Sequence, residues 1–156
     1  MNKIKLEKTK PMKLAYIEHV GAYGEIPFDD YISWLYSWAK QKKVRPGFKT
    51  IGIFHDNPEE KSPEECRSWI GIPIKGTASP DEQIKIKELP SMDVAVIKHK
   101  APASEYGETY KKLAEWIEEN GYECAGPTME VYTKKPKVVG NETIIYANVQ
   151  APVKKK

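Results

Sequence analysis

A chain of 156 residues with 25 Lys and Arg against 22 Asp and Glu, net +3, makes one domain or two small halves and gives no reason to expect direct nucleic-acid contact. Its two cysteines, Cys66 and Cys124, lack metal-ligand spacing and are too few for a disulfide scaffold, so reduced thiols, no metal and no cofactor are expected. No signal-like segment and no apolar run near the ~20 residues of a membrane helix is seen, which points to a cytoplasmic protein without membrane contact.

The first strand is read over Met12 to Val20. A loop follows, then an amphipathic helix in which Phe28, Tyr31, Ile32, Leu35, Trp38 and Ala39 recur at helical spacing, with Pro27 suited to its first turn. Two strands come next, Lys49 to Phe54 and Arg67 to Ile74, and a strand-like linker spans about residues 82–90. Met92 to His99 then repeats the first strand 80 residues on, Val96-Ile97-Lys98-His99 lying over Tyr16-Ile17-Glu18-His19. The second helix carries Tyr106, Tyr110, Leu113, Ala114 and Ile117 on one side, with Ser104 as N-cap and Gly121 as its stop. Strands at Thr128 to Thr133 and Thr143 to Val149 complete the second half, and Lys154, Lys155 and Lys156 read as a solvated basic tail.

Each half is therefore β-α-β-β, about residues 12–75 and 91–150 of a single domain covering 1–156. The expected class is α+β: a tandem pseudo-two-fold repeat forming an antiparallel sheet, with two helices on one face and a ligand groove on the other. Four Trp and nine Tyr against three Phe favour such a groove, since Tyr and Trp join a large apolar face to a polar tip.

Glu130 stands out because it sits in the apolar run Thr128-Met129-Glu130-Val131-Tyr132, where desolvating a carboxylate is costly unless something pairs with it. Strand alternation puts Glu130 and Tyr132 on one face. Ile145, Ala147 and Val149 are small and apolar enough to lie beneath a helix, so Tyr146 is assigned to the groove beside Glu130. Ile70, Ile72 and Ile74 go under the helices by the same reasoning, which leaves Trp69 on the groove side, and Gly52 is the counterpart of Glu130 in the first half. A poorly solvated carboxylate among aromatic faces suits a flat organic cation, each ring adding roughly 0.5–2 kcal/mol. Tyr106 and Tyr110 are candidate gate residues, with ordinary helix packing as the competing reading. The competing reading of Glu130 is a structural ion pair, with Arg67 the first partner to consider. His19 and His99 occupy equivalent strand ends, which points to structure.

The run His55-Asp56-Asn57-Pro58-Glu59-Glu60, followed by Ser62-Pro63-Glu64-Glu65-Cys66-Arg67, resembles the loop and strand of GyrI-like proteins, as do His19-Val20-Gly21 and Met129-Glu130-Val131-Tyr132. The resemblance covers about residues 10 to 152. It implies a small-molecule-binding fold that also serves as the effector-binding domain of AraC-type and multidrug-sensing regulators. It further implies that Glu130 meets cationic ligands in an aromatic cleft lined by Tyr146. Only about ten residues precede the first strand, so a stand-alone effector-type domain without a helix-turn-helix segment is expected. The ligand site is accordingly read as Glu130, Tyr146, Tyr132, Trp69, Tyr106 and Tyr110. Two alternatives stand beside passive binding. One is a hydrolase of reactive small molecules, with Glu130 as general base and Tyr146 or Tyr132 assisting. The other is contact with DNA gyrase or a transcription regulator, through the acidic segment Asp56 to Glu65.

Overall fold

The computed structural model describes residues 3–156, an α+β chain of antiparallel strands and two helices. In chain order the elements begin with β1 (Lys5–Lys8), β2 (Met12–Val20), α1 (Phe28–Lys42), β3 (Arg45–Pro46), β4 (Thr50–Phe54), β5 (Arg67–Lys75) and β6 (Ile84–Leu89). They continue with β7 (Asp93–Pro102), α2 (Tyr106–Glu119), β8 (Tyr122–Cys124), β9 (Thr128–Tyr132), β10 (Lys137–Val139) and β11 (Glu142–Lys155). No helix among the described residues is long and apolar enough to cross a membrane.

Two compact units result: Pro11–Pro90, and Ser91–Lys156 together with the N-terminal segment through Lys10. The first unit pairs its strands in the order β6-β2-β5-β4, with β3 also on β5, all antiparallel. Its helix α1 buries Leu35, Trp38 and Ala39 against Ala15, Ile17, Ile72 and Ile74, each large apolar side chain contributing roughly 1.5–3 kcal/mol by leaving water. Gly71 lies in the middle of this sheet because a Cβ there would stand 2.5 Å from the Ala15 carbonyl oxygen.

The second unit repeats the scheme. Its strand order is β1-β7-β11-β9, with β8 and β10 also on β11, and α2 packs Leu113 and Ile117 onto Ala95, Ile97, Val149 and Ala151. In both units the last strand of the β-α-β-β motif lies between the other two, as β2-β5-β4 and β7-β11-β9. The helices end as the residues dictate. Lys43 closes α1 in the left-handed conformation at φ 59°, and Gly121 after Asn120 turns the chain at φ 80°.

Several expectations are corrected. The linker segment is β6, fully paired to β2 from Met12↔Leu89 to Ile17↔Ile84, and so is part of the first unit's sheet. The expected basic tail is strand: Lys154 pairs Glu123 and Lys155 pairs Tyr122 as β11 extends onto β8. Strand β1 escapes pattern reading because Lys5-Leu6-Glu7-Lys8 is exposed throughout and has no buried alternation. Ser104 does not cap α2; it lies in a 3-10 turn, Ala103–Glu105, that leads into the helix.

Candidate functional site

The site is set by the pairing of β9 with β11. Glu130 stands opposite Val149 and Tyr132 opposite Ala147, while on the next strand His99 pairs Ala147 and Ile97 pairs Val149. Directly paired residues share a face. Glu130, Tyr132 and His99 therefore lie on the side covered by α2, among the core residues Ile97, Val149 and Leu113. This corrects the expected placement: Glu130 is beneath the helix rather than on a face opposite to it. Alternation within β11 puts Tyr146 and Val149 on opposite faces, and the register places Glu130 with the small apolar set and not with Tyr146.

Helix α2 meets the carboxylate from above. Tyr106 and Tyr110, four residues apart, project from one side of the helix toward the sheet. The Tyr110 hydroxyl donates to Glu130 Oε2 at 2.6 Å, and the Tyr132 hydroxyl donates to Oε1 at 2.8 Å. Glu130 is 5% exposed and makes no salt bridge among the described residues. Burial drives its pKa above the usual 4.5, opposed by the hydrogen bonds from Tyr110 and Tyr132, by the nearby Tyr106 hydroxyl and by the neighbouring His99. Burial, together with the neighbouring carboxylate, also pushes the Tyr106, Tyr110 and Tyr132 hydroxyls up, so all three stay protonated donors.

Magnitudes explain why the carboxylate survives there. Desolvating one ion costs several kcal/mol after relaxation, and hydrogen bonds to a charged group return about 1.5–3 kcal/mol each. Two tyrosine donors thus return part of the desolvation cost, and burial remains the larger effect, so protonation is favoured relative to a free carboxyl.

His99 and Thr109 complete the surroundings. His99 is 2% exposed; its Nδ1 lies 2.7 Å from Thr109 Oγ1, and its Nε2 lies 3.1 Å from the Ala101 carbonyl oxygen. Nε2–H donates to that carbonyl oxygen, and Nδ1 shares a hydrogen bond with Thr109 Oγ1, which also donates to the Glu105 carbonyl oxygen at 3.4 Å. The ring stacks on Tyr106 with centroids 4.0 Å apart and planes 8° from parallel. The Tyr106 hydroxyl is buried beside Glu130 and feels its charge, but meets no partner in hydrogen-bond geometry. Thr109 was missed in the sequence, though its position three residues after Tyr106 on the inner side of the helix was a usable signal.

The remaining expected site residues have their own surroundings. Tyr146 pairs Lys100 on β7, on the face away from α2, and the Lys100 and Lys134 ammonium groups lie 5.9 and 5.4 Å from its ring centroid. It is not brought together with Glu130. Trp69 belongs to the first unit, where it stacks on Tyr16 at 4.1 Å and donates from Nε1 to Glu18 Oε2 at 2.9 Å. Arg67, the expected ion-pair partner of Glu130, instead donates to Asp56 in its own unit, Nε to Oδ2 at 3.1 Å. That pairing holds the Asp56 carboxyl below the usual range. Open depressions occur near Leu6 and Tyr122 and near Glu18 and Glu82, and neither includes Glu130.

The family model described as GyrI-like small molecule binding domain matches residues 2–154. The SPbeta prophage-derived YosT of Bacillus subtilis (strain 168) is 25% identical over 134 residues, covering 85% of this chain and 90% of its own. Among solved structures, the EcmrR C-terminal domain superposes with a TM-score of 0.77 at 16% identity, over all of this chain and 99% of that domain. In the EcmrR–DNA complex the chain spans 58% of the EcmrR chain. SAV2435 bound to tetraphenylphosphonium superposes with a TM-score of 0.59 at 12% identity, covering 97% of this chain and 94% of that one. At such identities the structural matches speak for the fold alone.

Proposed function

We propose, for a chain that belongs to the GyrI-like small-molecule-binding domain family, that Glu130 and its surrounding tyrosines bind small organic cations with flat apolar parts. The observation that carries this reading is a carboxylate 5% exposed, with hydroxyl donors but no salt bridge among the described residues. A cation placed there gains Coulomb attraction that solvent scarcely screens, and aromatic faces add roughly 0.5–2 kcal/mol each. SAV2435, a protein of the same fold, was solved with tetraphenylphosphonium, a cation of this class. Titration with tetraphenylphosphonium and with its neutral isostere tetraphenylmethane, solubilised in mild detergent, tests the reading on the wild type and Glu130→Gln. A preference for the cation that disappears in the variant supports it; equal binding in both proteins contradicts it.

Hydrolysis with Glu130 as general base is less well supported. Both carboxylate oxygens accept tyrosine hydrogen bonds, which lowers their basicity; Tyr132 is already engaged as one of those donors, and Tyr146 faces away. The gyrase or regulator reading weakens for a related reason. Asp56, the first acidic group of the 56–65 segment, spends its carboxylate on Arg67 and Lys61. Asn57 and Ser62 close local turns that order the rest of the segment.

A further inference from the structure

We infer that the Tyr106 hydroxyl is the specificity-determining donor of this site, reading a neutral hydrogen-bond acceptor, such as a carbonyl oxygen, on the ligand whose positive charge meets Glu130. The inference rests on the cation-binding reading and adds to it the second feature a favoured ligand carries.

Buried hydroxyls nearly always find partners, and an orphan costs the desolvation of the group. Five buried side-chain polar atoms among the described residues have no partner, and Tyr106 Oη is the one that lies beside Glu130, the buried carboxylate. The neighbouring hydroxyls of Tyr110 and Tyr132 already donate to that carboxylate, one to each oxygen. The Tyr106 hydroxyl also lies close enough to favour the Glu130 charge, yet it does not reach hydrogen-bond geometry with the carboxylate, so its proton is the one a ligand can take up.

Its ring is also held in place. The near-parallel stack on His99 sets the plane of the phenol, and His99 is itself fixed by Thr109 on one nitrogen and by the Ala101 and Pro102 carbonyl oxygens on the other. A donor fixed in this way adds selectivity without the entropy cost of ordering a mobile side chain. Charge and acceptor would then be read separately: Glu130 admits cations as a class, and Tyr106 ranks them.

The test uses two triphenylphosphonium cations of the same shape and charge, one bearing an acetylphenyl and the other an isopropenylphenyl arm, each as meta and para isomers. Affinities are measured by calorimetry on the wild type, Tyr106→Phe and Glu130→Gln. The wild type should favour the acetyl member of at least one isomer pair by about 3- to 10-fold, the worth of one net hydrogen bond. Tyr106→Phe should lose that preference, the ratio of acetyl to isopropenyl affinity falling to about 1-fold. The ligand-free Tm of Tyr106→Phe should equal or exceed that of the wild type, because the deleted hydroxyl had no partner. Equal affinity for both members in the wild type, or a preference kept by Tyr106→Phe, overturns the inference while leaving the cation reading intact. Failure of every cation to bind, or indifference to Glu130→Gln, overturns the cation reading itself.

Discussion

Glu130 and Val149 stand directly opposite each other in the pairing of β9 with β11, so the carboxylate shares its side of the sheet with the residues that α2 covers. Everything distinctive about the site follows from that pairing. A charge beneath a helix must find donors there, and Tyr110 from the helix meets it at 2.6 Å while Tyr132 from its own strand meets it at 2.8 Å.

Tyr110→Phe removes one of the two hydroxyls that hold the buried charge. The cost at neutral pH should be about 1.5–3 kcal/mol, as for a hydrogen bond to an ionised group. Urea unfolding at several pH values checks this. The loss should shrink as the pH falls and Glu130 takes up a proton, because the neutral carboxyl needs the donor less. A loss that stays constant with pH would mean that Tyr110 acts through packing alone.

Glu130→Gln should change how stability depends on pH. The folded pKa of Glu130 lies above its unfolded value, so the stabilisation its protonation provides is full below about pH 4.5 and is lost as the pH rises through the folded pKa. The difference in unfolding free energy between wild type and variant should therefore drift in favour of the variant as pH increases. A flat difference would place the folded pKa at its ordinary value.

Tyr146→Ala separates register from resemblance. Tyr146 faces away from α2 and pairs with Lys100. The affinity of the Glu130 site for tetraphenylphosphonium should stay within about 2-fold of wild type, well under the 1.4 kcal/mol that marks a tenfold change. A tenfold loss would show that Tyr146 reaches the ligand after all.

Asp56→Asn should loosen the 55–67 segment without touching the site. Asp56 accepts from the Arg67 backbone and side chain and from Lys61, and its carboxyl is depressed by Arg67, so the stability it contributes is present above about pH 3.8 and lost as the pH falls through its folded pKa. Hydrogen exchange should quicken at the Asp56 and Arg67 amides in the variant, while cation affinity holds.

Much of this fold was legible in the sequence. Helical spacing from Phe28 to Ala39 and from Tyr106 to Ile117 marked both helices, and the likeness between the two halves anticipated the repeated strand order. What stayed hidden depends on which strands pair and in which register. Alternation says that Glu130 and Tyr132 share a face, and that Tyr146 and Val149 do not, but it cannot say which set meets which. The small side chains of Ala147 and Val149 were seen to suit a helix, but they also leave room for the Glu130 carboxylate and the Tyr106 and Tyr110 rings. The exposed edge strand β1 and the pairing of Lys154 and Lys155 carry no periodic signal at all. Glu130 itself was visible because a charge in an apolar strand breaks the local pattern, and such breaks are where function is to be sought.

The central claim, that Glu130 is the charge that receives a cation, is tested most directly by proton release on binding. Calorimetric titration of tetraphenylphosphonium, run from pH 4.5 to 8 in buffers of different ionisation enthalpy, counts the protons displaced. The wild type should bind more tightly as the pH rises and should release protons across the pH range where free Glu130 is protonated, and Glu130→Gln should bind weakly and release none. Binding of equal strength in both proteins, with no proton released at any pH, would contradict the account.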